Sequence, residues 1–321
     1  MKRALVIGID NYQSRLYGCI NDAIEFAKMI RINENGDPNF DVRLELNVPN
    51  RATLRRLVQE LFSESSEIAL FYFSGHGYAD HTGGYLVTPD HEMNDVGVSM
   101  DEIITLANNS SDRNKMIILD CCHAGAMGNP AAIGMKYTQI REGVTILTSC
   151  KEGQVAIEKK GHGVFTSLLL NALDGGAANI NGEITPGSIY AYIDQALGAW
   201  EQRPVFKTNI SYFTVLRSVN PQVPRQVLRN LKKYFSSPSS EYLLNPSHEP
   251  TNSHAVEHKV IEPLAEPAKV AVFKELQMLE SVGLVMPVNT PHMYFAAMES
   301  RSCKLTPLGC HYWQLAQREK I

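Results

Sequence analysis

Two apolar runs of strand length break abruptly into small and polar residues: Phe71-Tyr72-Phe73-Ser74-Gly75-His76-Gly77 and Ile117-Ile118-Leu119-Asp120-Cys121-Cys122-His123-Ala124-Gly125. The first run delivers His76 and the second delivers two cysteines, each just past the carboxyl end of a predicted strand. Catalytic groups of open parallel α/β sheets collect at that edge. A thiol and an imidazole placed there by neighbouring strands are the two parts of a cysteine nucleophile and its base.

Composition indicates an ordinary soluble protein. The chain has 321 residues, 44% of them apolar, and a net charge of -4, so no global basic field suggests nucleic acid. Six cysteines, two of them adjacent, do not resemble a disulfide framework and favour a reducing compartment. The apolar run Ala4–Ile9 is too short for a signal peptide, and no run reaches membrane-spanning length. We therefore expect a cytoplasmic protein without membrane contact.

The first 217 residues alternate strand and helix signals, which predicts a mainly parallel α/β sheet. The predicted strands are Arg3–Ile9, Asp41–Val48, Ile68–Phe73, Lys115–Leu119, Gly143–Thr148 and Tyr212–Leu216. The predicted helices are Asn21–Ile32, Ala52–Ser63, Met100–Asn108, Gly163–Leu173 and Gly187–Trp200. A small hairpin arm is expected at Gly83–Thr88.

Composition changes after Val219, which predicts three parts with bounds 1–219, 220–267 and 268–321. The middle part opens with a basic amphipathic stretch and continues rich in Pro, Ser, Asn and His, as in a linker or wrapping arm. The last part predicts helix, hairpin and helix, in the manner of a small winged-helix-like α+β module. Its predicted elements are Val270–Val282, Val285–Val288, Tyr294–Met298 and Pro307–Glu319.

His76 is the candidate general base because it follows a strand and is flanked by glycines, which let a substrate approach the backbone. The amide of Gly77, together with the amide of the nucleophile, would form an oxyanion hole with two donors. A cysteine needs such a base because a free thiol is scarcely ionised at neutral pH. The alternative treats the first motif as a plain turn and the cysteines as small buried hydrophobes.

The two motifs resemble those of caspase-like peptidases (clan CD, peptidase C14), and within them the metacaspase-like and bacterial caspase-family proteins. The resemblance covers about residues 1–217 and rests on Ser-Gly-His-Gly and Asp-x-Cys-x-small-Gly. It implies the caspase-haemoglobinase-like sandwich with a six-stranded sheet in the order 2-1-3-4-5-6. It also selects Cys122 as nucleophile over Cys121, because the nucleophile of the family lies two residues after the aspartate.

The segment Leu16–Ala23 extends this resemblance through a Gly-Cys-x-x-Asp motif. Carried over to this chain, the pocket for the residue before the scissile bond is lined by Cys19, Asp22, Ser74 and Asp120. Two carboxylates in a partly buried pocket favour a guanidinium or ammonium group. The resemblance thus implies cleavage after Arg or Lys. Alternatively, Asp22 is an ordinary acid at a helix N-terminus and Asp120 a strand-end turn residue.

No metal or cofactor is assigned. Metacaspases often bind calcium through acids after the histidine strand, and this chain offers Asp90, Glu92, Asp95, Asp101 and Glu102. One of the two paired aspartates of the family is missing, and calcium requires six or more oxygen ligands. We interpret the acids as a solvated face and a helix start.

Other polar residues receive simpler interpretations. His123 and His162 are interpreted as positioning and packing residues. Basic residues flank the fifth predicted strand and are candidate self-cleavage or latency sites: Lys136, Arg141, Lys151, Lys159 and Lys160.

Function beyond the chemistry follows from the resemblance alone. Bacterial caspase-family proteins often act as regulated effectors in antiviral defence or cell death, which implies protein substrates and an activating partner protein. Residues 221–321 carry 11 Lys and Arg against 9 Glu, too small an excess to predict DNA binding. Two alternatives stay open: a catalytically silent scaffold that binds partner proteins, and a DNA-binding regulator that uses the C-terminal module.

Overall fold

The computed structural model describes residues 1–92, 95–122, 124, 127, 140–150, 158–159, 161–197, 203–211, 214–255 and 260–321. It divides into two compact units, Met1–Asn220 and Pro221–Ile321. Four residues discussed above lie outside the described residues: His123, Lys136, Lys151 and Lys160. The side chain of Lys159 also lies outside them. No helix in the described ranges is both long enough and apolar enough to cross a membrane.

The first unit is built on a six-stranded sheet, as far as the described residues show. Its strands are β1 (Lys2–Gly8), β2 (Phe40–Leu46), β3 (Ile68–Ser74), β7 (Asn114–Asp120), β8 (Val144–Thr148) and β12 (Val205–Asn209). Their order is β12-β8-β7-β3-β1-β2, which is the predicted 2-1-3-4-5-6 order. All neighbouring pairs are parallel except β8 and β12. The mainly parallel six-stranded sheet and the strand order that the resemblance implies are confirmed.

Helices cover both faces of this sheet. They are α1 (Cys19–Arg31), α2 (Arg51–Ser63), α3 (Met100–Asn109), α4 (Val164–Asn171) and α5 (Pro186–Ala196). Successive strand residues point to opposite faces, so Phe71 and Phe73 join the core beneath α2 and α3, while Tyr72 joins the core beneath α1 and α4. Burial of every residue from Ile68 to Ser74 holds the strand end rigidly at the sheet edge.

Short strands complete the first unit. The arm beside the sheet has three antiparallel strands, β4 (Gly77–Asp80), β5 (Gly83–Glu92) and β6 (Asp95–Ser99). Two further pairs join β9 (Glu158–Lys159) to β10 (His162–Gly163) and β11 (Glu183–Ile184) to β13 (Arg217–Ser218). The arm begins directly after His76, so the small sheet starts at the candidate site.

Two predicted elements of the first unit differ from the observed ones: one strand lies elsewhere, and one helix has a different end. The sixth strand is β12, the more polar run Val205–Asn209, which pairs antiparallel with β8 at the sheet edge. Of the predicted strand Tyr212–Leu216, residues 214–216 form no strand, and Tyr212 and Phe213 lie outside the described residues. Helix α4 ends at Asn171 and continues as a single π-turn over Ala172–Gly176. Gly175 has φ of 122°, a conformation that favours glycine and stops the helix there.

The second unit combines helices with a three-stranded antiparallel sheet. Its helices are α6 (Arg225–Tyr234), α7 (Pro267–Ser281), α8 (Met293–Met298) and α9 (Pro307–Gln317), and its strands are β14 (Glu241–Leu243), β15 (Val285–Pro287) and β16 (Ser302–Leu305). The predicted strand at Tyr294–Met298 is wrong, since this run forms α8. The hairpin partner of β15 is β16 instead. Similarity to a winged helix stays a prediction.

The expectation of a linker at 220–267 also needs correction, because this segment supplies α6 and β14 to the second unit. Buried Asn252 holds the irregular part in place: its side-chain amide donates to the carbonyls of Pro246, Ile261 and Pro263. Its carbonyl oxygen accepts from the Ile261 N–H at 3.0 Å. Such satisfied backbone groups let a Pro- and Ser-rich segment pack without regular structure.

Candidate active site

Strand register brings the two motifs together. Ser74 and Asp120 are partners in the parallel ladder of β3 and β7, so both strands end at the same level. The ladder continues one step further, since the Gly75 N–H donates to the Asp120 carbonyl at 3.3 Å. His76 and Cys122 each lie two residues beyond these paired ends. The juxtaposition expected from the sequence is therefore present in the backbone.

Gly77 lies directly against the backbone of Cys122. A Cβ atom built on Gly77 would overlap with the Cys122 carbonyl oxygen and stand 3.0 Å from Cys121 Sγ. Only a residue without a side chain allows this approach. The Val87 N–H donates to the His76 carbonyl at 3.0 Å, which makes Gly77 and Leu86 a non-hydrogen-bonded pair of the arm. The Gly77 amide is thus directed away from β5.

The two adjacent cysteines occupy different environments. Cys121 is 1% exposed, and its carbonyl accepts from Ser149 Oγ and Cys150 Sγ. Burial raises the pKa of the Cys121 thiol well above its usual range, and nearby Cys150 and Asp120 add to this effect. Cys122 is partly exposed. A buried thiol with a raised pKa is a poor nucleophile, so Cys122 is the reactive candidate of the two.

The imidazole of His76 is oriented by the loop after β1. Its Nε2 lies 2.7 Å from the Ser14 carbonyl, and because a carbonyl only accepts, Nε2 carries the proton. The Tyr12 ring packs at 4.6 Å between centroids from the imidazole. The Tyr12 hydroxyl accepts from the His76 N–H and donates to the Val87 carbonyl. These contacts fix both the tautomer and the position of the ring.

Asp22 and Asp120 meet at one side of this edge, both almost fully buried. Asp22 accepts from His162 Nδ1 at 2.8 Å and from the Gly163 N–H at 2.9 Å. Asp120 accepts from Thr166 Oγ1 at 2.8 Å. A Cβ on Gly163 would contact both carboxylates, so the backbone around Gly163 packs tightly on the pair.

Burial raises the pKa of Asp22 to about 7, and the nearby Asp120 carboxylate raises it further. The hydrogen bonds from Gly163 and His162 act in the opposite direction. Cys19 begins α1 in the same region, and its N–H donates to Asp10 Oδ1 at 3.0 Å. Ser74 is buried at the end of β3. The four residues implied by the resemblance therefore lie at one sheet edge.

Several site residues were missed or undervalued in the sequence. Ser14 acts through its backbone carbonyl, which leaves no residue signature. Tyr12 and Thr166 are ordinary core types. His162 stood in a visible Gly-His-Gly motif and was interpreted as a packing residue, yet its ring contacts Asp22. Each contact joins positions at least 46 residues apart along the chain.

The acids considered for calcium do not converge in the part of the chain that the structure describes, where no group of three or more His, Cys, Asp or Glu side chains is placed to hold a metal. Asp90 accepts from the Arg51 N–H at the start of α2 and from Thr88 Oγ1. Glu102 pairs with Arg55 at 2.7 Å. Both acids have local structural roles.

The caspase-domain family model (peptidase C14) matches residues 1–234. No curated protein matches the chain. The crystal structure of protein GSU0716 from Geobacter sulfurreducens is similar, with TM-score 0.50 and 17% identity, over 69% of this chain and 98% of that one. Caspase-1 from Spodoptera frugiperda gives TM-score 0.49 and 13% identity, over 68% of this chain and 90% of that one. With the family model spanning most of its length, the chain belongs to the caspase-domain family of cysteine peptidases.

Proposed function

We propose that this protein is a cysteine endopeptidase that cleaves protein substrates after Arg or Lys, with Cys122 as nucleophile and His76 as general base. The observation that carries the proposal is the contact of Gly77 with the Cys122 backbone, which supports a base and a nucleophile side by side at this edge of the sheet. A nucleophile and a base on adjacent strand ends are the minimum that acyl transfer from a peptide requires.

The proposed reaction begins when His76 takes the thiol proton of Cys122. Because Nε2 already donates to the Ser14 carbonyl, Nδ1 is the nitrogen that accepts this proton. The thiolate then attacks the scissile carbonyl carbon. Collapse of the tetrahedral intermediate breaks the C–N bond, and the imidazolium gives its proton to the leaving amine. Water, deprotonated by His76, hydrolyses the thioester and regenerates the thiol.

The amides of Gly77 and Cys122 are proposed to stabilise the oxyanion. Gly77 has no side chain to block the approach, and its amide is directed away from β5. Two fixed donors aimed at a developing negative charge contribute more to the transition state than to the ground state. Ser14 completes the site as the group that orients the base, so that no third side chain is needed.

Specificity for a basic residue is proposed to come from Asp22 and Asp120, with Cys19 and Ser74 beside them. Both carboxylates are almost fully buried, so an arriving guanidinium would meet them in a low dielectric where the ion pair is strong. His162 and Gly163 currently satisfy part of the hydrogen-bonding capacity of Asp22. The remaining acceptor capacity favours a planar, multiply donating guanidinium.

A fluorogenic peptide panel tests the proposal directly. The peptides are identical except for Arg, Lys, citrulline or Asp before the scissile bond. We expect turnover of the Arg and Lys peptides and about 100-fold lower kcat/KM for citrulline, which keeps the shape of arginine without its charge. Preference for the Asp peptide would contradict the acidic pocket. Folded protein that hydrolyses none of them would favour the silent scaffold.

The pH dependence of stability provides an independent test of the buried carboxylate. Since the folded pKa of Asp22, about 7, lies above the ordinary value of 3.8, the folded state holds this proton more tightly than the unfolded state. Stability from this group is therefore present below pH 3.8 and is lost as pH rises through about 7. We expect the unfolding free energy of wild type to fall over this window relative to Asp22→Asn, measured by urea denaturation. Parallel profiles of the two proteins would contradict the assignment.

The biological setting is proposed from family membership. An endopeptidase of this family would act on protein substrates as a regulated effector in bacterial defence or cell death, in the cytoplasm, under control of an activating partner. The small basic excess of residues 221–321 gives no support for DNA as the partner.

A further inference from the structure

A cleft of about 630 Å³ opens beside the imidazole of His76. Its lining includes Tyr12 and Val87 on the inner side, with Tyr78, Val96, His91 and Glu92 around them. Tyr12 is 7% and Val87 8% exposed, so the inner side is firmly packed. Tyr78 is 43% exposed, so part of its side chain is open to an arriving group. None of the four residues of the proposed basic-residue pocket lines this cleft.

The position of the cleft relative to the base identifies what can occupy it. In the proposed reaction the imidazolium gives its proton to the leaving amine, so the residue that carries this amine must lie next to His76. The pocket for the residue before the scissile bond lies instead around Asp22 and Asp120. The chain on the leaving side of the bond is therefore the segment that enters the space bounded by Gly77 and Tyr78.

We propose that this cleft binds the substrate residue immediately after the scissile bond and selects an apolar or aromatic side chain there. The inference rests on the proposed function and adds a second specificity site to it. Tyr12, Tyr78, Val87 and Val96 supply apolar surface, which gains free energy when it is covered. Glu92 at the cleft carries negative charge and disfavours an acidic side chain.

Binding to a protein that cannot turn over tests the inference. In the Cys122→Ala background, fluorescence anisotropy would compare labelled peptides that differ only in Phe, Ser or Asp after the scissile Arg. We expect the Phe peptide to bind about tenfold more tightly than the Ser peptide, and the Asp peptide to bind most weakly. Equal dissociation constants for the Phe and Ser peptides, or undetectable binding of both, would overturn the inference.

Two variants place the selectivity in this cleft. Adding Tyr78→Ala to the same background is expected to reduce the preference for Phe over Ser to about twofold. Val96→Asp is the second cleft variant, and it changes a different residue of the lining. Tyr294→Ala is the matched control, because Tyr294 is 39% exposed and belongs to the second unit. Thermal denaturation would first establish that both cleft variants are folded. An unchanged preference for the Phe over the Ser peptide in both of them would then contradict the assignment.

The outcomes also separate this inference from the proposed function. Turnover of arginyl peptides by wild type together with equal binding of the Phe and Ser peptides would leave the peptidase proposal standing and remove the second specificity site. The opposite result is a preference for Phe that depends on Tyr78, while the wild-type protein hydrolyses no peptide. It would support the cleft and contradict the proposed catalysis.

Discussion

Replacing Cys122 with alanine is expected to lower kcat/KM for arginyl peptides by roughly 10⁴-fold or more, because the thioester of the proposed reaction forms on the Cys122 sulfur. The loss follows from chemistry alone, since the partly exposed Cys122 side chain contributes little to the core. The measurement is hydrolysis of the arginyl fluorogenic peptide by both proteins at equal concentration. Thermal denaturation would establish that the variant is folded.

Cys121→Ala is the matched control for this prediction, as it removes the same group one residue earlier. Cys121 is 1% exposed and has a raised pKa, so its thiol is expected to take no part in the reaction. We expect its kcat/KM to stay within about threefold of wild type, with a lower midpoint of thermal denaturation from the lost packing. The assignment is wrong if Cys121→Ala abolishes hydrolysis and Cys122→Ala does not.

Replacing Asp22 with asparagine is the second change with a large expected effect. The variant keeps the size of the side chain and removes the charge that would pair with a guanidinium inside the protein. We expect kcat/KM for the arginyl peptide to fall about 10³-fold, because the loss of one partner of a buried charge pair costs about 2–5 kcal/mol. Asp120→Asn is expected to act in the same direction. Both are measured with the arginyl and citrulline peptides side by side.

The citrulline peptide separates specificity from general damage to the site. If Asp22 recognises charge, Asp22→Asn lowers hydrolysis of the arginyl peptide and leaves that of the citrulline peptide nearly unchanged. Asp41→Asn provides the control for net charge, because Asp41 is exposed near the amino end of β2, away from the candidate site. Equal losses on both peptides would show that Asp22 acts only in the structure of the site.

Local patterns predicted the elements that form the candidate site. The apolar runs ending at Ser74 and Asp120 are fully buried strands, and such runs between polar breaks indicate strands without any tertiary information. The short run Tyr294–Met298 was misassigned because periodicity cannot separate a strand from a helix over so few residues. Strand β12 was missed because only its first two residues, Val205 and Phe206, are apolar, and the polar residues after them resemble a loop.

By itself, the sequence determined the class of the fold, the order of the strands through the family resemblance, and the candidate pair Cys122 and His76. These depend on local apolar patterning and on motifs that are contiguous in the chain. Only the tertiary structure decided that the Ser14 carbonyl orients His76, that His162 contacts Asp22, and that a cleft opens beside the base. The physical reason is that such contacts and cavities are built from groups far apart in sequence, whose proximity is set by packing rather than by local propensity.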